Sequence, residues 1–291
     1  MKDASPPGTG VAENERVIVD VGAVAAAERA RRPSFLPPIA ADVDTFAALR
    51  WLRLGLADLR RAWPSNAWFG LAFTSMGLLL ALIFVQAPAY LMAAISGFLL
   101  IGPFVCTGCY ELSRNLECGQ HCSLWCAATA FRRSAKNITI FAVLLLILEL
   151  LWGRASLVLF ALFYEGGIPD SADVLASFLR LENTAFVIAY LVVGGIFASL
   201  VFITAVVAIP MLLDRPVDAI TAGLTSFRVC LRHPLPLALW GGAITLLTLL
   251  AMAPAFLGLI VVGPWLGHAT WHAYRELVPP IEHNEASLAT A

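Results

Sequence analysis

Six apolar stretches, at roughly residues 67–86, 88–109, 137–163, 184–213, 235–252 and 254–274, constrain this chain more than any other feature. A helix needs ~20 apolar residues to cross a ~30 Å hydrocarbon layer, and each stretch is about that long. The expected fold is all-α: a polytopic membrane protein of six transmembrane helices. Composition agrees, with 59% hydrophobic and 13% charged residues and a mean hydropathy of +0.80, against about 25% charge in an ordinary soluble domain.

The connections between the stretches alternate in charge. Arg50, Arg53, Arg60 and Arg61 precede the first; Arg114, Arg132, Arg133 and Lys136 lie between the second and third; Arg215, Arg228 and Arg232 lie between the fourth and fifth. The opposite connections hold only Arg180. Positive charge stays on the cytoplasmic side during insertion, so both termini are expected in the cytoplasm of a bacterial inner membrane. The net charge is -1, and the nineteen basic residues lie mostly beside membrane stretches instead of on one basic face, so no nucleic-acid partner is implied. Residues 1–40, rich in Pro, Ala and charge and lacking an apolar export signal, read as a disordered cytoplasmic leader. Residues 41–278 read as the membrane domain and 279–291 as a disordered tail.

An internal repeat underlies the pattern. Gly55-Leu56-Ala57-Asp58-Leu59-Arg60-Arg61, Ala127-Ala128-Thr129-Ala130-Phe131-Arg132-Arg133 and Gly223-Leu224-Thr225-Ser226-Phe227-Arg228 precede the first, third and fifth stretches. Ala87-Pro88-Ala89 matches Ala253-Pro254-Ala255, and Gly102-Pro103 with Arg114 matches Gly263-Pro264 with Arg275. Three units are expected, each an amphipathic helix followed by a two-helix hairpin. In the segment 43–63, Val43, Phe46, Leu49, Leu52, Leu56 and Leu59 form an apolar stripe, with Arg50, Arg53, Asp58 and Arg61 on the other surface. Such a helix lies flat at the headgroup boundary. Arg53, Arg60, Arg61, Arg132, Arg133 and Arg228 are then expected to meet lipid phosphates. Trp63, Trp68, Trp152, Trp240, Trp265 and Trp271 read as interfacial belt residues, and Gly194, Gly195, Ala198, Gly241 and Gly242 as close-packing sites between helices.

Several of these runs together resemble a known family. They are Tyr110-Glu111-Leu112-Ser113-Arg114, Leu151-Trp152-Gly153-Arg154-Ala155, Pro210-Met211-Leu212-Leu213-Asp214-Arg215 with Asp218-Ala219, and the segment from Gly263 to Arg275. Over about residues 40–278 the chain is similar to the bacterial integral membrane family called domain of unknown function 2189. The resemblance implies an inner-membrane protein without an established activity. Some relatives carry the label of a cytochrome c oxidase subunit I, yet none of the five histidines here falls near mid-membrane, where that subunit's haems and copper require them.

Three groups of residues carry chemical interest. Counting 1.5 Å per residue from Asn137 puts Glu149 ~18 Å and Arg154 ~26 Å into the membrane, where an ionisable group must be protonated, paired or turned toward protein or water. Glu149 is therefore a candidate proton or cation site, or half of a structural pair. Cys118, Cys122 and Cys126 fall at helical four-residue steps with His121 alongside, and Cys106 and Cys109 stand nearby. On the reducing side such thiols suit zinc or redox chemistry, or simply apolar packing. His268 and His272, four apart on one helical face, read as a metal or haem pair or as hydrogen-bonded interfacial histidines. No cofactor and no catalytic residue is assigned. The first expectation is a non-catalytic accessory or scaffold protein whose partners are the lipid bilayer and other membrane proteins. A small transporter using Glu149 comes next, then a metal or haem redox protein.

Overall fold

The computed structural model describes residues 36–87, 90–120, 123–164 and 183–280. His121, Cys122, most of the leader, the connection at 165–182 and the tail beyond 280 lie outside the described residues.

Among the described residues every regular element is helical, as the composition led us to expect. In chain order these are α1 (Ala47–Arg61), α2 (Trp63–Gln86), α3 (Leu91–Glu117), α4 (Leu124–Ala128), a 3-10 turn (Ala130–Ser134) and α5 (Ala135–Phe163). There follow α6 (Thr184–Ala205), α7 (Ala208–Asp214), α8 (Ala219–Arg232), α9 (Pro234–Met252) and α10 (Leu259–Leu277). Each apolar stretch read from the sequence is thus helical over most of its length. Four helical stretches, Trp63–Gln86, Leu124–Phe163, Thr184–Asp214 and Pro234–Met252, are long and apolar enough to cross a membrane. The other two long helices, α3 and α10, carry charge in their C-terminal turns, Glu111, Arg114 and Glu117 in one and Arg275 and Glu276 in the other; ahead of these, residues 91–110 of α3 are uncharged.

Local chemistry explains the boundaries. Pro64 and Pro234 stand in the first turns of α2 and α9, where a missing N–H costs nothing. Helix α8 begins at Asp218, whose Oδ1 accepts the backbone N–H groups of Ile220 and Thr221, both at 2.9 Å. Asp218→Ala is expected to lower stability by about 1 kcal/mol in a thermal unfolding experiment in detergent. Helix α3 ends in a complete Schellman motif: the Gly119 N–H reaches Leu116 O at 3.1 Å and the Gln120 N–H reaches Asn115 O at 2.9 Å. Gly119 holds φ +65° with open space around its α-carbon, so Gly119→Ala should cost only the backbone strain, about 1 kcal/mol. This motif corrects the cysteine pattern, because the chain leaves α3 at Cys118 and Cys126 belongs to α4, so no single helix carries both. The α9–α10 connection is also broader than the two-residue turn expected at Ala253-Pro254. It runs to Gly258 and carries Ala255 and Phe256 in the left-handed region.

Helix α10 organises the interior, packing against α1, α2, α3 and α9, while α5 packs against α3 and α6. Its closest approaches are made at glycines of its neighbours. A β-carbon on Gly70 of α2 would lie 2.0 Å from Ile260 O, and one on Gly55 of α1 would lie 2.6 Å from Ala269 N. Pro264 has no N–H to give Ile260 O, the carbonyl one helical turn before it, so that carbonyl is left facing the Gly70 α-carbon. Small residues at helix contacts are the usual device in membranes, where apolar bulk gains nothing by leaving lipid. The sequence had assigned this role elsewhere, yet Gly195 and Gly242 face open space and Gly194 and Gly241 meet only the rings of Trp152 and Phe202.

The inward faces of the amphipathic helices are made mainly of small and polar residues rather than of the apolar stripe. Helix α1 buries Ala47, Ala48, Trp51, Gly55, Asp58 and Leu59 while Leu49 and Leu54 stay exposed. Helix α8 buries Ala222, Thr225, Ser226 and Val229 and exposes Ile220, Leu224, Phe227 and Leu231. Asp58, read as a surface charge, is therefore interior. Two tryptophans also leave the expected belt: Trp240 packs edge-on against Trp51 with centroids 5.7 Å apart, and Trp271 stacks on Tyr110 at 6.5 Å. Both are fully buried, because α9 and α10 turn these rings toward α1 and α3.

Candidate functional site: a buried polar junction and an intramembrane carboxyl

Polar side chains from four helices meet where α1 ends and α2 begins, beside the C-terminal halves of α3 and α10. Asp58 Oδ2 accepts hydrogen bonds from Ser113 Oγ at 2.7 Å and from His272 Nε2 at 2.8 Å. On its other side Ser113 Oγ lies 2.7 Å from His268 Nδ1, and His268 Nε2 lies 2.9 Å from Asn66 Oδ1. Asn66 in turn donates from Nδ2 to Leu59 O at 3.1 Å. Asn66, Ser113 and His268 are fully buried and Asp58 nearly so.

The geometry fixes the proton count. With Asn66 Nδ2 committed to Leu59 O, Oδ1 faces His268, so His268 Nε2 must carry a proton. Ser113 has one hydroxyl proton for two neighbours. It is donated to Asp58 Oδ2 at 2.7 Å, the carboxylate being the stronger acceptor. Burial pushes the Asp58 carboxyl up, but hydrogen bonds from His272 and Ser113 and the charges of both imidazoles outweigh it and hold it below its ordinary 3.8. The carboxylate form is thus favoured.

This order is not that of a nucleophilic triad, in which histidine bridges the acid and the serine and the serine faces substrate. Here the serine is the bridge, and it is sealed in.

Further ion pairs flank the junction. Glu117 accepts from Trp271 Nε1 at 2.9 Å and pairs with Arg275 at 3.2 Å. Tyr274 donates to Asp214 at 2.6 Å, and Arg215 donates to the carbonyls of Val278 and Pro279 at 2.7 and 2.8 Å. Glu111, buried in α3, pairs with Arg133 of the 3-10 turn at 2.9 Å. Arg50 pairs with Glu276, which also accepts from Trp51 Nε1 at 2.9 Å. Each of these carboxylates is answered by a side chain on another element.

The residues singled out in the sequence are dispersed by comparison. His268 and His272 both enter the junction, with three of their four ring nitrogens within 3.0 Å of protein atoms. Cys118 is exposed and Cys126 half-buried, and among the described residues no group of three or more His, Cys, Asp or Glu is placed to hold a metal ion. Arg53, Arg60, Arg61, Arg132, Arg133 and Arg228 are all exposed. Arg132, Arg133 and Lys136 line a groove of about 590 Å³ with Val217 and Asp218. Glu149 stands mid-way along α5, unpaired with Arg154 among the described residues, at the wall of an apolar cavity of about 540 Å³. Asp58, Asn66 and Ser113 were not among the sequence candidates. Of the three only Asp58 had a local signal, an acidic residue near Gly55 among arginines.

Long apolar helices tied together by a polar junction define an integral membrane protein of the helical class. The chain matches the family described as "Predicted integral membrane protein (DUF2189)" over residues 91–214, from the start of α3 to the end of α7. The family read from the sequence is therefore borne out over that segment, while the run from Gly263 to Arg275 lies beyond it. No curated protein and no solved structure matches the chain.

Proposed function

We propose that this is a six-span accessory protein of a bacterial inner membrane, non-catalytic, with both termini cytoplasmic, that holds or assists other membrane proteins. One observation carries the reading. At the junction the polar groups of α1, α3 and α10 close on one another, whereas Leu49 and Leu54 of α1 and Ile220, Leu224, Phe227 and Leu231 of α8 are exposed. A closed interior beneath an apolar exterior suits a part that packs against lipid and neighbouring proteins.

The element order supports three units, each a short helix followed by two long ones: α1 with α2 and α3, α4 and its 3-10 turn with α5 and α6, and α8 with α9 and α10. In this arrangement the junction lies at the cytoplasmic boundary, where the arginine-rich connections gather, and the exposed arginines reach lipid phosphates. The partners of His268 and His272 favour a structural role for both over ligation of a metal or haem.

The test is purification of the full chain in mild detergent with mass spectrometry of what accompanies it. A second membrane protein in near-stoichiometric amount is expected. Ile220→Asp, on the exposed face of α8, should remove that companion while changing stability by no more than about 0.5 kcal/mol. A purified chain that alone catalyses a reaction or a flux in vesicles would refute the reading.

A further inference from the structure

The cavity beside Glu149 has a composition of its own. It is lined mainly by α5 and α6 and walled by the aromatic side chains of Trp152, Phe197, Phe202 and Tyr110, with small residues Gly194 and Ala198 leaving the room. At about 540 Å³ it is the size of a site for a small organic molecule. Most of its wall is apolar, and Thr270, which also lines it, is committed to Leu266 O at 2.7 Å. Glu149 is the exception: among the described residues it makes no hydrogen bond and no ion pair, although it lies near the middle of a helix long enough to span the bilayer.

A carboxyl at that depth is costly unless a cation or a proton answers it. Aromatic faces attract cations, more strongly when water is excluded. Trp152 is held in place for this, with Tyr190 at 5.0 Å and Phe197 at 5.7 Å between ring centroids. An unpaired carboxyl, four aromatic walls and an apolar remainder are together complementary to one class of molecule. We propose that this cavity binds a lipophilic organic cation, its positive group against Glu149 and its apolar body among the rings, entering from the membrane between α5 and α6. This goes beyond the accessory reading and stands or falls separately from it, since it concerns a ligand of the membrane interior and not a protein partner.

The experiment measures equilibrium binding of tetraphenylphosphonium to the full-length protein in lipid nanodiscs, with neutral triphenylphosphine oxide as competitor. Saturable binding at one site is expected, weakened about tenfold or more by Glu149→Gln and retained in part by Glu149→Asp. Ala198→Leu, which fills the cavity and leaves the carboxyl in place, should also weaken it. Thermal unfolding of each variant confirms that the fold is kept. Absence of saturable binding to the wild type overturns the proposal, as does equal affinity in a folded Glu149→Gln variant. Full competition by the neutral compound would mark the cavity as a place for lipid chains alone and overturn it too.

Discussion

Gly70→Ala is expected to abolish accumulation of the folded protein or to lower its stability by about 3 kcal/mol, the upper part of the usual range for overpacking. The added methyl would lie 2.0 Å from Ile260 O. Backbone on both sides leaves no side chain free to move aside, so α2 and α10 would have to separate. Separation would also disturb Thr74, which donates to Phe256 O at 3.3 Å, and Gly77, which lies against the Phe256 ring. Gly195→Ala, at a helical glycine facing open space, provides the control and should be neutral or slightly stabilising. The measurement is the midpoint of thermal unfolding in detergent, followed by tryptophan fluorescence.

Asp58→Ala should have a comparable effect, about 3 kcal/mol, because it strands two donors, Ser113 Oγ and His272 Nε2, inside the junction. Asp58→Asn keeps an acceptor and should cost less. Acidity provides a second readout with a definite sign. A carboxyl held below its ordinary 3.8 in the folded state contributes stability that is complete above that value and declines as pH falls through the lower folded one. Wild-type stability should therefore fall on acidification below about pH 4, and more steeply than in Asp58→Asn. A wild type and variant with the same acid dependence would remove Asp58 from the account.

The positions of the helices were legible because a run of ~20 apolar residues has few alternatives in a lipid environment. Which residues make the inward contacts was not legible. In water an apolar stripe points to the interior, whereas here Leu49 and Ile220 are exposed and Asp58 is buried. Lipid rewards exposed apolar bulk equally well, so the contacts fall instead to small and polar residues such as Gly55, Gly70, Asp58, Ser113 and Ser226. The same inversion hid the junction. His268 and His272 stood out as a spaced pair, but Asn66 and Ser113 come from helices far apart in sequence and have no local pattern to announce them. Glu149 was legible for the opposite reason, as one of two charges, with Arg154, in a stretch otherwise free of them, although its cavity depends on packing between α5 and α6.

The central claim is that α3 and α10 cross the membrane along with the four more apolar stretches, which brings the junction to the cytoplasmic side. Thiol labelling tests it directly, using a membrane-impermeant reagent on intact spheroplasts and variants with single cysteines, all other cysteines being replaced. Tyr90→Cys, between α2 and α3, and Leu257→Cys, between α9 and α10, should react at once. Cys118, exposed at the end of α3, should react only after the membrane is opened. If only the four more apolar stretches crossed, α3 would leave Cys118 outside, and its labelling in intact spheroplasts would contradict the account.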